Sequence, residues 1–352
     1  MESIGQDSSP KQDIWTLKEA ARNGSADAQL NLGILYHLGK GVSSNHAEAI
    51  SWYQLAAEQG LAQAQLNLGF LYRNGEGIEP DHAEAAHWYR LAAEQGLAQA
   101  QLNLGILYRK GEGVPQDDTE ADRLYRLAAE QGLAQAQYYL GLMYHLGERV
   151  PIDHSEAIAW YRLAAEQGAA DAQLNLGYLL HRGKDVPLDQ AEAARWYRLA
   201  AEQGLSQAQF NLGTLYRNGD GLRQSHSEAA KWYDLAAEQG SSQAQLNLGF
   251  LYRTGKGVRQ DYAEAARLYR LAAEQGSGDA QLRLGELYHF GKGVPQSDVE
   301  AYAWIDIGTT QTGSEEGIEF LKTVSESMSS SDLEHAKRLS KQYWEAYVSD
   351  GN

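Results

Sequence analysis

The chain contains no cysteine, which excludes disulfides and thiolate metal sites. It also lacks any run of 18 consecutive apolar residues, so no segment reads as a bilayer-spanning helix. Residues 1–13, MESIGQDSSPKQD, have neither the basic n-region nor the apolar h-region of a secretory signal. A cytoplasmic location is therefore expected, with export by a route that uses no cleaved signal as the alternative. Positive charge is scarce: 30 Lys and Arg stand against 47 Asp and Glu, a formal net charge of -17. That balance repels phosphate backbones and anionic lipid headgroups, so no nucleic-acid partner and no membrane insertion are expected. The deficit is steepest in residues 298–352, with 11 acidic and 4 basic residues. This end reads either as a docking site for a basic partner or as a solvated polar cap. Catalytic signatures are missing as well, with no phosphate loop, no Gly-x-Ser-x-Gly elbow and no His-Glu-x-x-His. Neither an enzyme nor a cofactor is expected.

What the sequence does have is a repeat. A length of 352 residues would ordinarily divide into two or three globular domains, but periodicity at 36 residues overrides that expectation. Gly24, Gly60, Gly96 and Gly132 begin one series that continues to Gly276, and Gly33, Gly69, Gly105 and Gly141 begin another that continues to Gly285, with no insertion in either. Within residues 62–95 the apolar residues follow a helical period. Ala64, Leu68, Leu71 and Tyr72 share one face of a first helix, and Ala85, Trp88, Tyr89, Ala92 and Ala93 share one face of a second. Gly75 and Gly77 end the first helix, and Asp81 with Glu84 forms a capping box for the second, a pairing found in all eight copies from Asn45/Glu48 to Ser297/Glu300. The recurring Gly-x-Gly thus stands at a helix C-terminus, where the dipole repels phosphate, and not in a dinucleotide loop. Gly69 and its equivalents fall inside a helix, at a cost of about 1 kcal/mol relative to alanine, which predicts the close approach of a neighbouring helix.

These residues carry a resemblance. The motif Ala-x-Ala-Gln-x-x-Leu-Gly-x-x-Tyr, then Gly-x-Gly-Val, then Glu-Ala-x-x-Trp-Tyr-x-x-Ala-Ala-Glu-Gln-Gly, is similar to the Sel-one-like repeats, relatives of the tetratricopeptide repeats. The resemblance implies an all-α fold, a right-handed α/α superhelix (solenoid) of eight 36-residue helix-turn-helix repeats with helical caps. It also implies a concave groove lined by the first helices, used for scaffolding and adaptor roles in bacteria and eukaryotes. The expected layout is a flexible N-terminus at residues 1–13, a capping helix at 14–24, eight repeats at 25–310, and a C-terminal helical cap and tail at 311–352. After residues 299–307 the repeat pattern dissolves, and two further helices are predicted near 315–327 and 332–347.

The expected function is a monomeric, non-enzymatic bacterial scaffold or adaptor for a protein or peptide partner, in signalling or host interaction. The alternative is a protein or enzyme acting on cell-wall material or a small ligand such as a muropeptide or β-lactam. Some cysteine-rich relatives have been linked to penicillin binding, but this chain has none of their cysteines. Turning each first helix by 100° per residue places positions 63, 66, 67, 70, 73 and 74 away from the core. One resulting row is nearly all asparagine, including Asn67, Asn103, Asn175, Asn211 and Asn247. Another is mixed, including Phe70, Leu142, Tyr178 and Phe250. The asparagine amides read either as a grip on an extended peptide backbone or as packing between adjacent repeats. Tyr138, Tyr139, Tyr178 and Phe210 break the template in the middle of the array, where Arg149 and Asp185 also replace a loop glycine. The candidate partner-binding residues are Asn103, Tyr138, Tyr139, Leu142, Asn175, Tyr178, Phe210, Asn211 and Phe250.

Two further patterns read as structural. His37, His145, His181 and His289 share one repeat position and His46, His82, His154 and His226 another. Stacked copies of one position lie about 10 Å apart, too far for shared coordination at about 2.1 Å, so no metal site is expected. Glu120/Arg123 and Glu264/Arg267 at i,i+3, with Arg90/Glu94 and Arg126/Glu130 at i,i+4, describe a solvated face.

Overall fold

Every copy of the repeat forms two helices, and the computed structural model describes residues 10–148 and 150–348. A leading helix, α1 (Pro10–Arg22), precedes the array; it begins four residues before the expected start at 14, and residues 1–9 lie outside the described residues. The first helices are α2 (Ala26–Leu38), α4 (Ala62–Asn74), α6 (Ala98–Lys110), α8 (Ala134–Leu146), α10 (Ala170–Arg182), α12 (Ser206–Asn218), α14 (Ser242–Thr254) and α16 (Gly278–Phe290). The second helices are α3 (His46–Glu58), α5 (His82–Glu94), α7 (Asp118–Glu130), α9 (His154–Glu166), α11 (Gln190–Glu202), α13 (His226–Glu238), α15 (Tyr262–Glu274) and α17 (Asp298–Thr312). Two more, α18 (Glu315–Glu326) and α19 (Ser330–Tyr347), follow. No strand occurs among the described residues. The helices fall into two compact units, Met1–Gln167 with repeats one to four and Gly168–Asn352 with repeats five to eight. Within each unit every repeat helix packs on the next in sequence, and α18 and α19 both lie on α17.

The capping box is only half formed. The Asp81 carboxylate accepts from the Ala83 and Glu84 backbone amides, and all eight N-caps of the second helices accept in the same way from the glutamate amide three residues on. The reciprocal bond is replaced by one to the preceding helix: the Asp81 amide donates to the Tyr72 carbonyl at 2.9 Å, and the Asp117 amide to the Tyr108 carbonyl at 3.0 Å. Freed from the cap, Glu120, Glu228 and Glu264 pair with Arg123, Lys231 and Arg267. The i,i+4 arginines do more than decorate a solvated face. Arg90 donates to the Tyr108 hydroxyl of the next repeat at 3.0 Å, Arg126 to Tyr144 at 3.3 Å and Arg198 to Tyr216 at 2.6 Å.

The glycine inside each first helix meets a ring, which refines the expected helix crossing. A Cβ on Gly69 would lie 2.7 Å from two ring carbons of Tyr89, and one on Gly177 would lie 2.8 Å from Tyr197 Cδ1. These tyrosines are fully buried in all seven repeats that carry them. In the eighth repeat Ile305 replaces the tyrosine and faces Gly285. The loop glycines solve two different problems. Gly96 takes φ 87° with nothing near its missing side chain, so conformation alone requires it. Gly113 takes φ 71° and also lies flat on the backbone of His82 in the preceding repeat, where a Cβ would fall 2.1 Å from the carbonyl carbon. Asp185, at φ 62°, is the one described non-glycine residue in the left-handed region, while Arg149 lies outside the described residues.

Helix α17 does not stop near residue 307 but continues to Thr312. Thr312 stands where earlier repeats carry the helix-ending glycine, and Gly308 stands where they carry alanine: a Cβ there would lie 2.8 Å from the Gly278 carbonyl oxygen, so the start of α16 lies against α17 at this point. Trp304 then stacks on Tyr343 of α19 at 4.3 Å, which covers the last repeat.

Candidate partner-binding surface

The outward side of the first helices is built on a buried amide ladder that the repeat motif encodes at two positions. Gln65, 4% exposed, donates from Nε2 to the Ala57 carbonyl of the preceding repeat at 3.1 Å and accepts from Gln95 Nε2 at 2.8 Å. The bond from the second-helix glutamine recurs through Gln131 to Gln101, Gln239 to Gln209 and Gln275 to Gln245. The sequence shows both glutamines in all eight copies, but only tertiary contact reveals that they bond to each other. A buried amide stripped of either partner would retain an unmet desolvation cost, so the ladder holds each first helix at one depth and one rotation.

With that rotation held, the mixed row faces outward. Phe70 is 40% exposed and Tyr178 38%, whereas Ile106 and Leu142 in the first unit, and Thr214 and Phe250 in the second, are half-buried. Cations stand over the aromatic rings of the second unit: Arg182 lies 5.5 Å from the Tyr178 centroid, and Arg253 and Lys256 lie 5.6 and 5.7 Å from that of Phe250. An aromatic face with a guanidinium across it offers both apolar area and charge to a partner chain.

Of the four aromatic residues that break the repeat template, only Tyr178 is exposed. Tyr139 stacks on Tyr125 at 5.4 Å with an interplanar angle of 19°, Tyr138 packs on Tyr161 at 5.9 Å, and Phe210 packs on Tyr233 at 5.8 Å. All three are half-buried, because the fully buried second-helix tyrosines form a floor on which an added ring settles. In the first unit, Tyr138, Tyr139 and Leu142 come together on α8, while Asn103 stands on α6. In the second unit, Asn175 and Tyr178 are on α10, Phe210 and Asn211 on α12 and Phe250 on α14.

The asparagines serve the core as much as the surface. Burial pushes the Tyr53 and Tyr89 hydroxyls up to about 12; the Asn67 amide of the following repeat pulls the first partly back, and Arg73, then Asn103, the second. Tyr197 is raised in the same way, with Asn211 opposing. The asparagines are themselves held by Gln63, Gln99 and Gln207, whose side-chain amides donate to Asn67, Asn103 and Asn211 at 3.0, 3.2 and 3.0 Å. Arg217 donates to Asn247 Oδ1 at 2.7 Å. The glutamine bonds lie within one helix, and the arginine bond joins neighbouring repeats.

The second unit also carries a groove of about 290 Å³ between α16 and α18, lined by Leu282, Glu286, Phe290, Gly317 and Phe320 among others. Phe290 and Phe320 stack across it at 6.0 Å. In the first unit, His37, His46 and Glu76 come together at a loop end, with ligand atoms within 4.8 Å of one another. Comparing only equivalent positions of the repeat missed this group, because it joins two different positions of one copy to a third from the next.

No helix among the described residues is long and apolar enough to cross a membrane. The family model described as Sel1 repeat matches residues 26–61, 62–97, 98–133, 134–168, 170–205, 206–241, 242–277 and 278–306. Sel1 repeat proteins generally act in protein–protein interaction, and their fold is typically a non-enzymatic scaffold. The chain is similar to c5321, a protective antigen present in uropathogenic Escherichia coli strains, with 36% identity over 96% of this chain and 80% of that one and a TM-score of 0.70. It is also similar to a Sel1 repeat protein from Oxalobacter formigenes, with 33% identity over 91% of this chain and 95% of that one and a TM-score of 0.63. No curated protein matches. Eight matched repeats, a helical hairpin in each and two solved relatives of the same construction agree: the chain belongs to the Sel1 repeat family of helical-repeat solenoids.

Proposed function

We propose that this protein is a non-enzymatic scaffold that holds a protein partner by laying an extended segment of it against the outward face of the first helices. The observation that carries the reading is the mixed row. At one repeat position, on helices whose depth is set by buried glutamines, Phe70 and Tyr178 leave two fifths of their surface to solvent. Large apolar side chains held rigid and half exposed lose little entropy on binding, which makes them efficient anchors. The net charge of -17 favours a basic partner at long range. Both relatives with high coverage are bacterial, and one is a protective antigen of a pathogen; we place this chain in the same setting, as a bacterial scaffold in signalling or host interaction. Cytoplasmic residence and a monomeric state complete the proposal.

The test is selection of peptides from a displayed random library on the full chain, followed by affinity measurement with Phe70→Ser and Tyr178→Ser. Both side chains are exposed, so circular dichroism should not change. A recurring apolar motif whose binding weakens at least tenfold in either variant supports the reading. Selected peptides that bind both variants as tightly as the parent would refute this face as the docking site.

A further inference from the structure

We propose that His37, His46 and Glu76 form a binding site for a divalent transition metal of the zinc(II) class, which clips the first repeat to the second. Three elements bring the ligands together. His37 lies in the last turn of α2, His46 is the first residue of α3, and Glu76 follows the left-handed Gly75 that ends α4. Gly77 makes the meeting possible, since a Cβ there would lie 2.3 Å from that of His46; without one, the second repeat's loop settles onto α3 and carries Glu76 to the histidines.

The donor set and spacing suit the metal. Imidazole nitrogen and carboxylate oxygen bind zinc at about 2.0 to 2.2 Å, which sets tetrahedral donor separations of about 3.4 Å. His37 Nε2 and Glu76 Oε2 already stand 3.2 Å apart, and all three donor atoms lie within 4.8 Å of one another. Closing a separation of 4.8 Å to that target takes about 1.4 Å of side-chain movement. Both partners have that freedom, with side chains 22% and 32% exposed, and the same exposure leaves a fourth position open to water. The other nitrogen of His37, Nδ1, faces the Tyr53 hydroxyl at 3.5 Å, the outer-shell bond that orients a metal-ligating imidazole. The ends of α2 and α4 turn their negative dipole poles toward the site, offsetting the positive pole at the start of α3.

Comparison with the other repeats of the first unit isolates the feature. Glu148 stands 39 residues after Arg109, as Glu76 does after His37, and there the carboxylate forms an ion pair with the guanidinium. At the intervening corner Arg73 occupies the His37 position, and Glu112 has His82 at 3.8 Å and Lys110 at 3.6 Å. His145 and His154 repeat the histidine pair at 5.8 Å between centroids, but the residue at the third position in sequence is Lys184. Only the first corner exchanges the built-in arginine or lysine for two imidazoles while retaining the acid. A bound dication would supply the positive charge that arginine supplies at the third corner, and His37, His46 and Glu76 are the one such group of three among the described residues.

The experiment uses the full chain, free of any affinity tag and stripped with a chelator, titrated with zinc(II) against a chromogenic competitor and with cobalt(II) by visible absorption. The expected result is one equivalent bound, with a ligand-field spectrum of low-symmetry four- or five-coordination and slower amide exchange in residues 38–45 and 75–80. His46→Gln and Glu76→Gln, both at accessible positions, should weaken binding at least tenfold. His37→Arg should abolish it while keeping the fold, since it restores the arrangement seen at Arg109 and Glu148. Less than half an equivalent bound to the parent, unchanged affinity in both glutamine variants, or zinc that leaves exchange in those two loops unaltered would each overturn the proposal, leaving a plain hydrogen bond between His37 and Glu76.

Discussion

Replacing Gly177 tests the packing that every repeat shares. An alanine methyl would arrive 2.8 and 2.9 Å from two ring carbons of Tyr197 and 3.2 Å from a third, where carbon atoms prefer about 3.5 to 4.0 Å. The ring has nowhere to go, because Tyr197 is 1% exposed. Overpacking of this kind costs about 1 to 3 kcal/mol. Helix propensity opposes it with a gain of about 1 kcal/mol, so contact and propensity predict opposite signs. With the ring pinned, the contact wins: Gly177→Ala should lose about 1 kcal/mol net, and Gly177→Leu, with three more carbons, should lose more. A repeat array transmits such a lesion mainly to neighbouring repeats. Hydrogen exchange by mass spectrometry should therefore show opening around residue 177 raised by about 5-fold, taking about 1.4 kcal/mol per factor of ten. Segments near residues 33 and 285 should keep their protection. In a Tyr197→Leu background the alanine should become neutral or stabilising. An alanine variant as stable as the parent, or an equal cost in both backgrounds, would refute the ring contact as the reason for glycine; uniform loss of protection along the chain would refute local cooperativity.

Other consequences can be checked alongside. Gln65→Leu should cost about 1 to 3 kcal/mol, because it leaves the Ala57 carbonyl and the Gln95 amide without their partner, and Gln95→Ala should cost less; chemical denaturation of the two variants ranks them. Gly113→Ala should destabilise far more than Gly96→Ala, as the first collides with the His82 backbone and the second suffers only the left-handed penalty of about 1 to 2 kcal/mol; equal thermal shifts would contradict the assignment. Burial raises the hydroxyl pKa of Tyr53, Tyr89 and Tyr125 to about 12. The unfolded chain releases those protons near pH 10 and the native one near 12, so the unfolded state binds fewer protons across that window and stability falls as pH rises through it. Tyrosinate absorbance from these rings should appear together with the loss of helical circular dichroism, and not before it.

Much of this protein was determined by its sequence alone, and for a physical reason. Helix starts and stops are local events, so Asp81 at an N-cap, Gly75 and Gly96 at left-handed ends and apolar residues at a 3.6 period locate nearly every helix of the array without reference to a neighbour. Repetition multiplied the signal eightfold and with it the family. Contact between repeats was decided by tertiary structure, because it joins residues on different helices that no local pattern relates. Gln95 could be seen at the end of its helix, but not its bond to Gln65. Gly69 announced a close approach, yet only the packed structure placed the Tyr89 ring there. The same limit governed the surface: a 100° rotation located the outward face, but the floor of buried tyrosines turned Tyr138, Tyr139 and Phe210 half inward and left Phe70 and Tyr178 to solvent. His37, His46 and Glu76 became a site only when the glycine-paved loop of one repeat settled on the helix start of another, a distance that spacing along the chain does not encode.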